Sequence, residues 1–295
     1  MTKLDRTIKI SKFLTNLPYN KFNLDNYTDV LAQKLDYFGL IPTQENLPVQ
    51  LMSRNHLKAG IIHTITKRKK RNIYIIGKGI LFDSGGLDLK DQMYNMTNDK
   101  AGMIIALSVA NYLKGNVVAY CPVTTNFIHT SKIIPGDEIK IGKKIVKISN
   151  TDAEGRLILA EALSTLNVTK EDIIITIATL TGCAELAVGT KATAYLTPSD
   201  DLSCKWAVAS EKAKELTWRL PLWDYIEKNF YKKIIIKNAE KDIKADTIGA
   251  AVFLKQFVKY PNQWLHLDIA SSAFSKDGNA NGVPIKSLLN FIRRL

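Results

Sequence analysis

Asn150-Thr151-Asp152-Ala153-Glu154-Gly155-Arg156-Leu157 is the stretch on which the reading of this chain turns. Two carboxylates and a guanidinium crowd into it. Before it, Val146-Lys147-Ile148 alternates apolar and polar as a strand end does; after it, Leu157-Ile158-Leu159-Ala160-Glu161-Ala162-Leu163 has the character of a buried helix. The acids are therefore predicted at a strand-to-helix junction. In an extended or irregular segment Asp152 and Glu154, separated by a single residue, point to one side, as a shared cation requires. The competing reading is that Asp152 only caps the helix and Glu154 only sits in its first turn.

A second cluster lies upstream. Ile73-Tyr74-Ile75-Ile76 is a short apolar run of strand type that delivers Gly77-Lys78-Gly79 and then Phe82-Asp83-Ser84-Gly85-Gly86. Glycine permits close backbone approach, so Lys78 and Asp83 are expected on tight turns and not on a solvated face. Lys90, Met96 and Asp99 follow; Asp99 precedes the apolar run Ala101 to Val109 and reads equally as a helix cap, and Lys78 equally as a surface lysine. Together Asp83, Asp99, Asp152 and Glu154 offer enough hard oxygen ligands to bridge two divalent ions about 3.5–4 Å apart. Histidine does not compete for this role. His56, His63, His129 and His266 are scattered and form no HExxH pair, which argues against a mononuclear zinc site of that kind.

These two motifs resemble the leucyl (cytosol) aminopeptidase family of dinuclear-metal exopeptidases. Ala178-Thr179-Leu180-Thr181-Gly182, Leu220-Pro221-Leu222-Trp223, Asp246-Thr247-Ile248-Gly249-Ala250-Ala251 and Trp264-Leu265-His266-Leu267-Asp268-Ile269-Ala270 extend the resemblance, which runs from about Ile10 to the C-terminus. It implies a metal-dependent aminopeptidase that removes Leu and other apolar N-terminal residues from peptides. Two divalent ions per chain, zinc or manganese, are implied at Lys78, Asp83, Asp99, Asp152 and Glu154, with Asp83 and Glu154 bridging. It further implies that Lys90 stabilises the developing gem-diolate and that Arg156 holds a bicarbonate acting as general base. Met96, Thr179, Leu180, Thr181, Gly182, Ala270 and Ala273 would form the substrate pocket. A homohexamer is the implied assembly. The sequence departs from the family pattern at Thr97, Lys100 and Ile269-Ala270-Ser271-Ser272-Ala273.

Strands alternating with helical periods predict an α/β fold, a three-layer sandwich around a central, largely parallel mixed sheet. Helices are expected over Asn26 to Phe38, Ala101 to Leu113, Trp206 to Leu216, Trp223 to Phe230, Ile248 to Val258 and Ile285 to Ile292. Strands are expected at Ile73–Ile76, Val117 to Cys121, Ile173 to Ala178 and Trp264 to Ile269, with a hairpin across Gly142-Lys143. The unbroken β-branched run from Ile173 is the pattern of a strand covered on both faces. In such sheets ligands gather at the carboxyl ends of strands, where both motifs fall.

The 295 residues read as a single domain: a short basic leading segment over 1–72 packed on a dinuclear-metal catalytic core over 73–295. The separate N-terminal domain usual in the family is not expected in a chain of this length. Three cysteines (Cys121, Cys183, Cys204) without a CxxC pair, and no apolar leader, point to a reduced, cytoplasmic protein. No apolar run approaches the ~20 residues of a membrane span.

Net charge is +13, and residues 1–71 carry 13 Lys and Arg against 5 acids. The run Lys67-Arg68-Lys69-Lys70-Arg71 reads as a solvated turn in preference to a nucleic-acid patch, because no aromatics interleave it. A DNA-binding protein retaining the aminopeptidase fold stays open as the alternative function. A phosphate loop at Gly77-Lys78-Gly79 is disfavoured, since GxxxxGK[ST] is missing.

Overall fold

Runs of β-branched residues alternate with helical periods along the chain, and a computed structural model, which describes residues 1–35, 40–43, 60–64, 70–128 and 133–295, realises that alternation as a layered sheet. Its strands are β1 (Leu40–Thr43), β2 (Gly60–Thr64), β3 (Ile73–Gly77), β4 (Gly79–Asp83), β5 (Val117–Asn126), β6 (Glu138–Ile141), β7 (Lys144–Lys147), β8 (Ile173–Ala178), β9 (Thr193–Leu196), β10 (Thr217–Arg219), β11 (Ile235–Lys237) and β12 (Trp264–Asp268). Its helices are α1 (Lys3–Asn16), α2 (Tyr27–Lys34), α3 (Ala101–Leu113), α4 (Glu154–Thr165), α5 (Cys183–Val188), α6 (Asp200–Ala213), α7 (Asp224–Ile226), α8 (Asp246–Lys255) and α9 (Ile285–Ile292).

The main sheet runs β1-β2-β5-β3-β8-β12-β9-β10, with β4 also paired to β5. Its centre is parallel: β3 pairs with β5 and β8, β8 with β12, and β4 with β5. Antiparallel pairs are confined to β1–β2, β2–β5 and β9–β12. β11, β7 and β6 form a small separate sheet.

β8 shows why the fold is three-layered. Every residue of Ile173–Ala178 is buried, and the two-residue period sends alternate side chains to opposite faces. Ile173, Ile175 and Ile177 join an apolar cluster with residues of α1, α2, α3, α6 and α9. Ile174 and Ala178 join another with residues of α4 and α8. Each fully buried Ile or Leu contributes about 1.5–3 kcal/mol relative to exposure, so a polar residue at one of these positions would break the layer.

Two sequence expectations are extended by the structure. The strand read as Val117 to Cys121 continues to Asn126. The leading segment, in which only the helix from Asn26 was expected, opens with helix α1, whose start is fixed by a reciprocal Thr2–Asp5 capping box. The helix expected over Asn26 to Phe38 is found as Tyr27–Lys34; residues 36–39 lie outside the described residues. Of the basic run, residues 67–69 also lie outside them, while Arg71 donates to the carbonyls of Glu171 (3.0 Å) and Leu295 (2.7 Å), a structural role.

Lys78 interrupts what would otherwise be one strand. β3 runs along the first half of β5 and β4 along the second, so the break projects Lys78 out of the ladder. Its backbone is still paired, with N–H donating to Ile177 O (3.0 Å) and its carbonyl accepting from Met103 N–H (2.9 Å). The start of α3 approaches β8 so closely that a Cβ on Gly102 would lie 2.3 Å from Ile177 O, which leaves room only for glycine.

Candidate active site

Five parallel strands or their immediate extensions deliver polar residues to one end of the sheet: Lys78 after β3, Asp83 at the end of β4, Asn126 at the end of β5, Thr179 after β8 and Asp268 at the end of β12. That is the carboxyl end, where neighbouring backbone groups and diverging loops leave a crevice. Asp99 arrives on the 3₁₀ turn Met96–Lys100 and Asp152 on the turn Thr151–Ala153, while Glu154 is the first residue of α4. Asn150 caps the Asp152 turn by accepting from Asp152 N–H at 2.7 Å. The carboxylates of this stretch are thus not spent on the cap, and the helix-cap reading of Asp152 is replaced by one in which Asn150 does the capping.

The side chains converge tightly. Asp83, Asp152 and Glu154 offer carboxylate oxygens within 4.8 Å of one another, an arrangement able to hold a metal ion. Lys78 Nζ lies 2.9 Å from both Asp99 Oδ2 and Glu154 Oε1, and donates to Thr179 O at 3.0 Å. Lys90, its side chain 21% exposed, reaches Asp83 Oδ2 at 3.0 Å and also pairs with Asp152 Oδ1. Lys78 is therefore neither a surface lysine nor part of a phosphate loop.

Electrostatics show what the cluster lacks. Four carboxylates face two ammonium groups, and burial raises Asp152 and pushes Asp99 up to about 6 and Glu154 up to about 8, with Asp83 adding repulsion to both. Burial alone would lower Lys78, but Asp99, Glu154 and Asp83 outweigh it and raise its pKa, holding it as an ammonium. Lys90 is raised by the same kind of neighbours against its own desolvation. Hard oxygen donors with an unmet negative excess fit divalent cations.

Residues that sequence reasoning passed over complete the frame. Asn126 Nδ2 donates to Asp83 Oδ1 (2.7 Å), Thr151 O (3.1 Å) and Glu154 Oε2 (3.3 Å), tying both motifs together. Buried Asp268 accepts from the N–H groups of Leu180 and Ala270 (each 3.2 Å) and from Thr181 Oγ (2.7 Å), and so shapes the loop after β8. For Asn126 a strand-terminal position next to a polar turn was the available signal; Asp268 lay inside the quoted Trp264 to Ala270 stretch but was not singled out as a site residue.

Asp83, Asp99 and Asp152 line a cleft of about 330 Å³ whose walls include Met96, Thr179, Leu180, Thr181, Gly182 and Ala270. Phe274 and Gly278 line it as well, unforeseen in the sequence. Two expected residues lie elsewhere. Ala273 is buried in the apolar cluster under α9, because the turn after β12 directs it inward. Arg156 is not among the lining residues: its Nη1 donates to Asn238 O (3.1 Å) and its Nη2 to Asp246 Oδ1 (2.9 Å). His266 is a core residue, with Nδ1 2.9 Å from Thr176 Oγ and its pKa lowered to about 3, by burial first and then by Arg156. His56 and His129 lie outside the described residues.

Comparison with known proteins places this geometry. Residues 53–289 match the cytosol aminopeptidase family, catalytic domain. The chain belongs to that family. Relatives of this cytosol aminopeptidase domain include a probable cytosol aminopeptidase of Syntrophotalea carbinolica, 35% identical over 76% of this chain and 48% of its own length. One from Buchnera aphidicola subsp. Baizongia pistaciae is 31% identical over 96% of the chain and 62% of its length. The chloroplastic leucine aminopeptidase A1 of Solanum lycopersicum is 34% identical over 78% and 43%. The chain spans about half the length of the curated relatives it matches. Among solved structures, the bottromycin maturation enzyme BotP superposes with a TM-score of 0.87 at 26% identity, over 99% of this chain and 69% of BotP; another structure of it is a complex with Mn. These relatives lend the nucleic-acid reading no support.

Proposed function

We propose that this chain is a metal-dependent aminopeptidase acting on peptides with apolar N-terminal residues, Leu among them. The observation that carries the reading is the convergence of Asp83, Asp99, Asp152 and Glu154 with two lysines beside a partly apolar cleft. In this reading Lys78, Asp83, Asp99, Asp152 and Glu154 would hold two divalent ions, with Asp83 and Glu154 central to the cluster; zinc and manganese would both suit the donors, and BotP has been obtained with Mn. Bound there, divalent ions supply Lewis acidity toward a peptide carbonyl and acidify water.

The chain's own residues do the rest. Lys90 projects from the loop after β4 into the cleft and places an ammonium where negative charge develops on the carbonyl oxygen. Asn126 fixes Asp83 and Glu154 in mutual register, as outer-shell donors fix ligating carboxylates. Met96, Leu180, Ala270 and Phe274 receive the N-terminal side chain and exclude water from it. Assembly as a homohexamer accompanies the reading through the family resemblance, and the three free cysteines suit a reducing, cytoplasmic setting.

Leu-amide hydrolysis by purified protein, followed through chelation and readdition of Zn or Mn, tests the proposal. Activity that vanishes on chelation, returns with metal and spares an N-acetylated peptide is expected. Undiminished cleavage of the blocked peptide would overturn the aminopeptidase assignment.

A further inference from the structure

Two walls of the cleft are held from outside it by adjacent residues at the end of α1. Pro18 stops that helix, and Leu17 before it takes the extended backbone that a following proline favours. The last carbonyls of a helix have no partner inside it and must find one elsewhere. Leu17 O accepts from Lys100 Nζ at 2.9 Å. Lys100 is fully buried, where an unsatisfied polar head would be costly. It also donates to Thr97 O and lies 5.4 Å from the centre of the buried Phe22 ring. Lys100 ends the turn Met96–Lys100, which brings Met96 to the cleft.

The last residue of the helix holds the other wall. Asn16 Oδ1 accepts from Ala280 N–H at 2.8 Å. Ala280 forms an antiparallel bridge with Phe274, and Ser275 N–H donates to Asn279 O (2.9 Å) inside the same small hairpin, so the contact fixes the backbone that brings Phe274 to the cleft. Asn98 Nδ2 donates to Gly278 O at 2.9 Å and joins the turn to the hairpin. A Cβ on Gly278 would lie 2.3 Å from Asn95 Nδ2, which leaves no slack between the two. The frame is closed: helix end to turn, turn to hairpin, hairpin to helix end. Asn16, Leu17 and Lys100 themselves do not line the cleft.

We infer that Asn16 and Lys100 are positioning residues for substrate selection: from the end of α1 they set the spacing of Met96 and Phe274, and with it the size of the N-terminal side chain that the cleft binds well. The leading segment is then part of what selects the substrate and not only a cover for the core. The inference rests on the aminopeptidase reading for the substrate selected, but not for the bracing of the two walls.

The test uses the metal-loaded full chain as wild type, Asn16→Ala, Asn16→Asp, Lys100→Met and Lys3→Ala. It reads kcat and KM on Leu-amide and Ala-amide, the thermal midpoint, and amide hydrogen exchange over 96–102 and 273–281 by mass spectrometry. Asn16→Ala leaves Ala280 N–H without its acceptor and should raise KM for Leu-amide about 10-fold with kcat nearly kept. The Leu-over-Ala ratio of kcat/KM should fall by about the same factor, the scale of one lost methylene contact, and exchange over 273–281 should quicken. Asn16→Asp keeps an acceptor oxygen and should restore both. Lys100→Met keeps the unbranched bulk and loses the two carbonyl contacts, so it should lower the same ratio and quicken exchange over 96–102. Lys3→Ala removes the contact with Tyr112 O at the other end of α1 and should leave the ratio unchanged. A lower midpoint in Asn16→Ala with an unchanged ratio is what a merely structural role gives, and it overturns the inference. So does an equal fall of the ratio in Lys3→Ala. If Lys100→Met does not fold, the Asn16 pair decides. Wild type inert toward every free-amine substrate would instead sink the aminopeptidase reading; quickened exchange in Asn16→Ala would still uphold the brace, and unchanged exchange would refute it.

Discussion

A Cβ placed on Gly155 would lie 2.7 Å from the Nζ of Lys78 and 2.8 Å from its Cε. The glycine inside the signature is thus the surface against which Lys78 lies as it reaches Asp99 and Glu154. Gly155→Ala should push Lys78 off its partners. An alanine adds about 1 kcal/mol of helix propensity to α4, which offsets part of the steric cost, so the thermal midpoint should move little while turnover falls by about 10–100-fold. Full activity in a folded Gly155→Ala protein would show that the position of Lys78 is immaterial.

Asp83→Asn and Glu154→Gln should each abolish hydrolysis, by more than about 10²-fold, while circular dichroism keeps the wild-type shape. Both side chains stay hydrogen-bonding, and Asn126 still has an oxygen to meet at each. Metal content by mass spectrometry is the decisive measurement. Near-normal turnover with full metal content in either variant would remove the shared-carboxylate assignment.

Lys78 is an ammonium in the metal-free protein, because three carboxylates outweigh its desolvation. Serving as a ligand requires the lone pair, so metal uptake should release protons, and activity should rise toward alkaline pH. Lys78→Arg keeps the charge and cannot deprotonate; it should lose the second ion altogether. Two tightly held ions in that variant would make Lys78 a bystander.

Glu161 lies on α4, only 6% exposed, with one carboxylate oxygen unpartnered among the described residues. Burial raises its pKa to about 8 from an ordinary 4.5. Between these values the folded chain holds a proton that the unfolded chain has released, so this group's contribution to stability declines as pH rises from about 4.5 through 8. Glu161→Gln should remove that decline and gain about 1–3 kcal/mol above pH ~8, the cost of an unsatisfied buried polar group. Urea midpoints across pH check it; parallel curves for the two proteins would refute it.

The cleft walls of Met96, Leu180, Ala270 and Phe274 should accept Leu, Met and Phe side chains with little discrimination. Apolar contacts separate substrates differing by one methylene by only about 1–3 kcal/mol. An Asp-terminated peptide should be much slower, and kcat/KM for the series decides the point: equal values for Asp and Leu would contradict an apolar wall.

The sequence alone determined the α/β class and the central strands, because strand and helix periods are local properties: Ile173–Ala178 carries its double burial in six successive apolar or β-branched positions. It also singled out Lys78, Asp83, Asp99, Asp152 and Glu154, through the resemblance carried by the two motifs, while the residues taken singly left helix caps and a surface lysine open. Tertiary structure decided which of these meet, and through what. That Asn126 joins the two motifs, that Asp268 holds the loop of Leu180 and Thr181, and that Ala273 turns inward depend on strands far apart in the chain lying side by side. The fate of Arg156 is the sharpest case. The family resemblance implies an anion there, but each of its terminal nitrogens also gives an N–H to a residue more than eighty positions away, Asn238 and Asp246. A guanidinium's partners are set by what the fold brings within 3 Å, and no local pattern encodes that distance.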